Sequence, residues 1–138
     1  MSPARAVAVV FVWLGMVLAI SFLEAPLKFR APDVTLQIGL GIGRLVFRAL
    51  NVVEVVLAIV ILVTTLASPP SSATAAFAVP FAALAVQIGA VRPQLNRRTD
   101  QVLAGLDAPR SRGHYIYIGL EAIKALALAV GGILLVSS

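Results

Sequence analysis

The sequence contains no cysteine, a single histidine and few charged residues for its length. The lack of cysteine excludes disulfides, thiolate metal sites and a thiol nucleophile. A lone histidine cannot build an HExxH metal motif. Three stretches, 6–23, 55–91 and 125–138, contain no charged residue. Helices of this length without a polar face are stable only in hydrocarbon, so a soluble helical domain is excluded.

The composition fits a small integral membrane protein. Hydrophobic residues make up 60% of the chain, compared with about 45 to 50% apolar residues in soluble domains. A length of 138 residues accommodates about four spans of about 20 residues each. We therefore expect an all-α fold, a four-helix transmembrane bundle in one integral membrane domain. The spans are predicted at about 6–23, 48–67, 73–91 and 114–136, with loops at about 24–47 and 92–113.

The charged residues cluster between the spans. Sixteen of the seventeen lie in 24–54 or 92–124, and these windows hold ten of the eleven Lys and Arg residues. Basic loops stay on the cytoplasmic side of a membrane. This arrangement predicts a protein of the inner membrane with cytoplasmic charged loops and both termini extracytoplasmic. The basic charge has this simple cause and no nucleic-acid-binding motif accompanies it, so no nucleic-acid partner is expected.

The first apolar stretch has two interpretations. Arg5 precedes it, and the small residues at 19–21 resemble a signal-peptide cleavage site. The basic segment that follows, with Lys28 and Arg30, is instead typical of the cytoplasmic end of a retained span. We expect a retained transmembrane helix.

The later stretches predict three further elements. No proline interrupts 34–67, so one long helix is expected there, with an interfacial extension before the span. Small residues at four-residue spacing in the third span, Ala78 with Ala82 and Ala85 with Gly89, predict helix packing. The polar segment 92–113 is predicted to be a loop with a short surface helix at about 100–106.

Gly39 and Gly43 are predicted close-packing positions, because the glycine-rich run around them lacks the GK[ST] of a phosphate loop.

Two carboxylates lie within spans at matching depth. Glu54 and Glu121 are about 9 and 10 Å inside the predicted inner boundary, at 1.5 Å per residue. Ionisable residues inside a span are costly and are therefore candidates for function. Helical spacing places other polar residues on the same faces or near them. The predicted polar pocket comprises Arg48, Asn51, Glu54, Gln87, His114, Tyr117, Glu121 and Lys124.

Two functions are compatible with this pocket. The formal charges of Arg48, Glu54, Glu121 and Lys124 cancel, so the group could be a closed network that only fixes helix register. The chain would then be a structural or assembly subunit for other membrane proteins. Alternatively, the pocket binds or conducts a proton, an ion or a small solute, with His114 as a gate. Homodimerisation is expected in that case, because four spans barely enclose a path.

Enzymatic, metal and cofactor roles are not expected. No Ser/His/Asp set is evident, so hydrolysis is disfavoured. Lys and Arg residues near His114 and the carboxylates would repel a metal cation. Haem binding usually requires more than one candidate axial ligand. We expect a protein without catalytic activity, metal or cofactor, whose partners are the lipid bilayer and other membrane proteins or a second copy.

Four short segments resemble the transmembrane-protein-205-like family of small four-helix membrane proteins. They are 22–29 (FLEAPLKF), 43–47 (GRLVF) with Asn51, 92–97 (RPQLNR) and His114. The likeness lies in their order and spacing across most of the chain. It implies a four-helix membrane bundle in which His114, Asn51 and the Lys28–Phe29 region matter, and it implies no reaction. The chain departs from the family at Tyr117, where the family tends to have serine. DoxX-like four-helix membrane proteins are a second resemblance, with similar architecture.

Overall fold

The computed structural model describes residues 3–67, 72–106 and 112–137. These residues form four helices, each long and apolar enough to cross a membrane, and no strand occurs within those ranges. The helices are α1 (3–30), α2 (Leu36–Leu66), α3 (72–103) and α4 (Arg112–Ser137). The predicted all-α transmembrane bundle is confirmed, and the chain is a multi-pass membrane protein.

The helices pack in chain order, and the bundle closes where α4 contacts α1. The buried core of the bundle is apolar and draws on every helix: Val10, Trp13 and Val17 from α1, Ile61 from α2, Phe77 and Leu84 from α3, and Leu128 from α4. Packing of these side chains inside a membrane displaces lipid rather than water, so the hydrophobic effect does not drive it. The stabilisation comes from close van der Waals packing between the helices.

The outer surface of the bundle is also apolar. Large hydrophobic side chains are exposed on all four helices, and Leu66 and Leu126 expose 78% and 69% of their surface. A soluble protein rarely exposes contiguous apolar surface on this scale. These side chains therefore form the lipid-facing belt expected of transmembrane helices.

Two glycines of α4 receive aromatic rings from neighbouring helices. A Cβ atom at Gly131 would lie 2.7 Å from the Phe77 ring, and one at Gly132 would lie 2.7 Å from the Phe11 ring. Real Cβ atoms do not approach other atoms this closely. Glycine at these positions therefore allows α1 and α3 to pack directly against α4.

Only five residues separate α1 from α2. α1 continues through Pro26 to Arg30, and α2 begins at Leu36 after Thr35, whose Oγ1 accepts a hydrogen bond from the Ile38 N–H at 3.2 Å. This contact is an N-terminal helix cap. α2 is the single long helix that the sequence predicts, so most of the predicted loop 24–47 is helical.

The prediction of a loop from residue 92, with a short helix at 100–106, is wrong. α3 continues through Arg92 to Leu103 because nothing after Pro93 breaks a helix, and a proline in the first turn of a helical segment is tolerated. Gly105, at φ +84°, ends the helix. The Leu106 N–H bonds the Gln101 carbonyl and the Gly105 N–H bonds the Val102 carbonyl, which is a Schellman motif.

Two further predictions concern α3. Most of the predicted Ser/Pro turn, residues 68–71, lies outside the described residues. The small residues Ala78, Ala82, Ala85 and Gly89 are all exposed, and a Cβ at Gly89 would meet nothing within 4 Å. Their predicted packing is therefore wrong within this chain, because the buried face of α3 is formed by Phe77, Pro80, Leu84 and Gln87 instead.

Candidate functional site

Lys124 lies at the centre of a buried ionic network. Its Nζ is 2.5 Å from Glu54 Oε2, 2.5 Å from Glu121 Oε1 and 2.8 Å from Gln87 Oε1. The three charged side chains are at most 1% exposed. Ion pairs this deep are stable only when the remaining polar atoms are also satisfied.

Neutral donors complete the network around both carboxylates. Trp13 Nε1 donates to Glu54 Oε2 at 2.7 Å, and Asn51 Nδ2 donates to Glu54 Oε1 at 3.1 Å. Gln87 Nε2 donates to Glu121 Oε1 at 2.7 Å, and the Ser21 hydroxyl donates to Glu121 Oε2. Every oxygen of the two carboxylates therefore accepts at least one hydrogen bond. All four helices contribute a side chain.

Two π-helical turns present polar side chains to the network. The turn Leu18–Glu24 carries Ser21, and the turn Gln87–Val91 begins with Gln87. Each turn ends two residues before a proline, Pro26 or Pro93. A proline lacks an N–H and crowds the carbonyl four residues earlier, so the preceding turn widens. Such π turns in α-helices are frequent at functional sites.

Arg48 does not belong to the site. It is exposed on α2, whereas Leu50, Asn51 and Glu54 are buried. At 100° per residue, Arg48 points about 130° away from the centre of the buried face of α2. The predicted charge cancellation is therefore wrong, because the buried network contains Lys124 against two carboxylates and has a formal charge of −1.

Tyr117 and His114 lie near the network without joining its ion pairs. Tyr117 is buried, and its ring meets Phe47 edge-on at 5.6 Å between centroids. Its hydroxyl lies near Asn51 but has no hydrogen-bond partner of normal geometry in the described part of the chain. The half-buried His114 ring packs against the Tyr115 ring at 5.5 Å. Glu54, Glu121, Asn51, Gln87 and Lys124 thus converge as predicted, while Tyr117 and His114 line an adjoining space.

That space is a cavity of about 400 Å³ between the four helices. Ligand pockets typically measure about 300 to 1,000 Å³, so the cavity could hold a small solute. Ser21, Tyr117 and Glu121 form the wall shared with the network, and Phe22 and residues of both charged windows form the rest. We call this the charged-end cavity. Its ionisable lining residues are Lys28, Arg44, Arg92, Arg98, His114, Tyr117 and Glu121.

The close approach of α1 and α2 shapes one side of this cavity. A Cβ at Gly39 would overlap the Phe29 ring, and a Cβ at Gly43 would lie 3.0 Å from Lys28 Nζ. The prediction that Gly39 and Gly43 are close-packing positions is confirmed. The atoms that fill the space are side chains of α1, so these glycines position Lys28 and Phe29 in the cavity wall.

Several site residues are not evident from sequence patterns. Trp13 and Ser21 lie in a continuous apolar stretch. No periodic spacing of polar residues there indicates which side chains make polar contacts. Arg92 carried a usable signal, since it is the first charge after 37 uncharged residues and precedes a proline. Lys28 and Phe29 were indicated only by the family resemblance.

Comparisons with protein-family models, curated proteins and solved structures found no match to this chain. The resemblance to the transmembrane-protein-205-like family therefore stays a prediction. Among the described residues, no three His, Asp or Glu side chains converge into a metal-ion site.

Proposed function

We propose that this chain is a membrane protein that binds a small polar solute in the charged-end cavity, without catalysing a reaction on it. The observation that carries the proposal is the position of the cavity. Its wall at Ser21, Tyr117 and Glu121 adjoins a rigid, fully bonded ionic network. A site whose polar side chains are already fixed loses little entropy when a ligand binds.

The orientation of the bundle is part of this proposal. The described residues of both charged windows contribute to the same cavity, so the basic side chains gather at one end of the bundle. The positive-inside rule places that end at the cytoplasmic face of the inner membrane. Both termini then lie on the extracytoplasmic side, and a solute would enter the cavity from the cytoplasm. A homodimer or a complex with other membrane proteins would be built on the lipid-facing belt.

A cavity-filling variant tests solute binding. Ala25 lines the cavity, so Ala25→Trp should fill much of it. Ala49 is exposed on α2 and does not line the cavity, which makes Ala49→Trp the matched control. The protein would be purified in a mild neutral detergent, and native mass spectrometry would record bound small molecules. We expect a copurified mass in the wild type and in Ala49→Trp that is lost in Ala25→Trp. A cavity that carries no ligand in any of the three proteins contradicts the proposal.

A structural or assembly role is the second candidate. It is favoured by the closure of the ionic network, in which Lys124 pairs with both Glu54 and Glu121 and all three side chains are at most 1% exposed. Such a network can fix the register of helices without binding anything. Under this alternative, Glu121→Gln would reduce the amount of protein in the membrane, and Ala25→Trp would leave both abundance and partner association unchanged.

A further inference from the structure

We propose that the charged-end cavity binds a phosphate-type oxyanion, with the Arg92 guanidinium as its principal contact. This inference rests on the proposed solute-binding function and names the chemical class of the solute. The proposal rests on the half-buried Arg92, which lines a cavity large enough for a ligand and has two buried guanidinium nitrogens without a hydrogen-bond partner in the described part of the chain.

The guanidinium of Arg92 is held in place but is not hydrogen-bonded through all its donors. Its central carbon lies 5.0 Å from the Phe47 ring centroid and 4.6 Å from the Tyr117 ring centroid. Its Nε and Nη2 atoms are buried and have no hydrogen-bond partner in the ranges that the structure describes. Aromatic faces stabilise the cation but do not replace the hydrogen bonds that its N–H groups lost on leaving water. A ligand that accepts two hydrogen bonds from these atoms would restore them.

Two other cations of the cavity already have carboxylate partners. Lys28 lies 3.8 Å from Glu24, and Arg44 lies 2.5 Å from Asp100. Within the described residues, Arg92 has no such ion pair. Arg98 also takes part in an interaction. Arg92 is therefore the cation of the wall whose charge is most available to a ligand.

The acidic side of the cavity does not favour a cation. Glu121 is the only carboxylate among the described residues that line the cavity. Its Oε1 is bonded by Lys124 and Gln87, and its Oε2 accepts the Ser21 hydroxyl. With its oxygens occupied in this way, Glu121 has little left to offer a cationic ligand. The described lining of the cavity therefore carries four Lys and Arg residues and one carboxylate.

Arginine and phosphate fit each other geometrically. The planar guanidinium donates two parallel hydrogen bonds to oxyanions such as carboxylate and phosphate. Several surrounding cations favour the anion with more charge and more acceptor oxygens, which is phosphate. The aromatic wall, with Phe22, Phe29 and Phe47, can also contact an apolar group attached to that phosphate. The phosphate could therefore come from a free solute or from the headgroup of an anionic phospholipid.

Three variants test the role of Arg92 in the full-length protein. Arg92→Gln removes the cation and most of the donors. Arg92→Lys keeps the positive charge but loses the planar guanidinium with its parallel N–H donors. If Arg92→Gln does not fold, this variant tests whether Arg92 contacts the ligand. Arg97→Gln is the matched control, because Arg97 makes the same charge change on the same helix but is exposed and outside the cavity.

Two measurements separate the two sources of phosphate. Equilibrium dialysis with radiolabelled inorganic phosphate, in a neutral maltoside detergent with chloride as the background anion, reports a free solute. Native mass spectrometry after incubation with phosphatidylglycerol, or with diacylglycerol as the phosphate-free lipid, reports a headgroup. We expect saturable binding in at least one arm. Arg92→Gln should weaken the binding affinity about tenfold or more, a loss of about 1.4 kcal/mol. Arg92→Lys should weaken the affinity less, and Arg97→Gln should leave it unchanged.

Three results would overturn the inference. The first is no binding of inorganic phosphate and no preference for phosphatidylglycerol over diacylglycerol, which would leave only water at Arg92. The second is equal weakening by Arg92→Gln and Arg97→Gln, which would indicate diffuse surface charge. The third is a phosphate-free ligand that Ala25→Trp expels and Arg92→Gln retains. That third result would preserve the proposed solute-binding function while refuting the oxyanion.

Discussion

Lys124 Nζ and Glu54 Oε2 lie 2.5 Å apart and join α4 to α2 through side chains that are completely buried. The same Nζ lies 2.5 Å from Glu121 Oε1 on its own helix and 2.8 Å from Gln87 Oε1 on α3. One ammonium group therefore links three helices of the bundle. The rigidity of the network, and through it the shape of the adjoining cavity, depends on this cation.

Removing that cation should be far more damaging than removing an exposed one. Lys124→Met leaves Glu54 and Glu121 as two buried carboxylates without a counter-charge, and breaking a buried pair in this way costs about 3 to 5 kcal/mol. Arg48→Met is the matched control and should change stability by no more than about 0.5 kcal/mol, because Arg48 is exposed. Thermal unfolding in mild detergent, followed by circular dichroism, measures both. Similar unfolding temperatures for the two variants would show that the network contributes nothing.

The indole of Trp13 should matter to stability through its N–H as well as its ring. Trp13→Phe keeps an aromatic ring beside Phe81, whose centroid is 6.1 Å away, but removes the 2.7 Å hydrogen bond to Glu54. Glu54 Oε2 keeps Lys124 Nζ as a partner, so the cost is that of one hydrogen bond to a charged acceptor, about 1.5 to 3 kcal/mol.

A double-mutant cycle with Glu54→Gln separates that hydrogen bond from ring packing. The loss caused by Trp13→Phe should shrink in the Glu54→Gln background by about 0.5 to 3 kcal/mol, as expected for residues in contact. Asp100→Asn is the control background, since Asp100 pairs with Arg44 at the exposed end of α3. Trp13→Phe should cost the same there as in the wild type. Full additivity in both backgrounds would refute the role of the hydrogen bond.

Burial of the intramembrane charges was predictable, but their complete partner set was not. Glu54, Glu121 and Lys124 stand out because a charge within an apolar span must face protein, and the structure brings them together. When both faces of a helix are apolar, it is harder to predict which face packs against the other helices. The prediction for Arg48 is wrong for that reason, because it lies about 120° around the helix from Glu54, at the edge of the predicted polar stripe.

The course of the helices beyond the spans was also only partly predictable. Polar composition suggested a loop after Arg92, yet the buried Thr99 and Val102 give that segment an apolar side that packs on α2, where Gln37 Nε2 donates to the Val102 carbonyl at 3.1 Å. Pro26 and Pro93 are evident in the sequence. The contacts that Ser21 and Gln87 make depend on how the helices pack, so neither side chain could be assigned to one carboxylate in advance.

The two glycines at positions 39 and 41 should respond oppositely to alanine. A Cβ at Gly39 would overlap the Phe29 ring and displace it, which would alter the cavity wall. A Cβ at Gly41 would meet nothing within 4 Å, so Gly41→Ala should stabilise α2 by about 0.5 to 1 kcal/mol through its higher helix propensity. Thermal unfolding and native mass spectrometry of copurified ligand measure the two effects. Gly39→Ala should lower both the unfolding temperature and ligand retention, and equal behaviour of the two variants would contradict the packing assigned to Phe29.

The orientation of the bundle can be tested cleanly because the chain contains no cysteine. Gln101 is exposed on the last turn of α3 at the charged end, and Ser137 is exposed at the end of α4. Basic residues accumulate near the charged end, so a cysteine in Gln101→Cys should face the cytoplasm and one in Ser137→Cys should face outward. In intact bacterial cells, a membrane-impermeant maleimide should label Ser137→Cys alone, and lysis should expose Gln101→Cys to the reagent. Labelling of Gln101→Cys before lysis, with Ser137→Cys protected, would invert the bundle. The charged-end cavity would then face away from the cytoplasm and would have to draw its ligand from outside the cell.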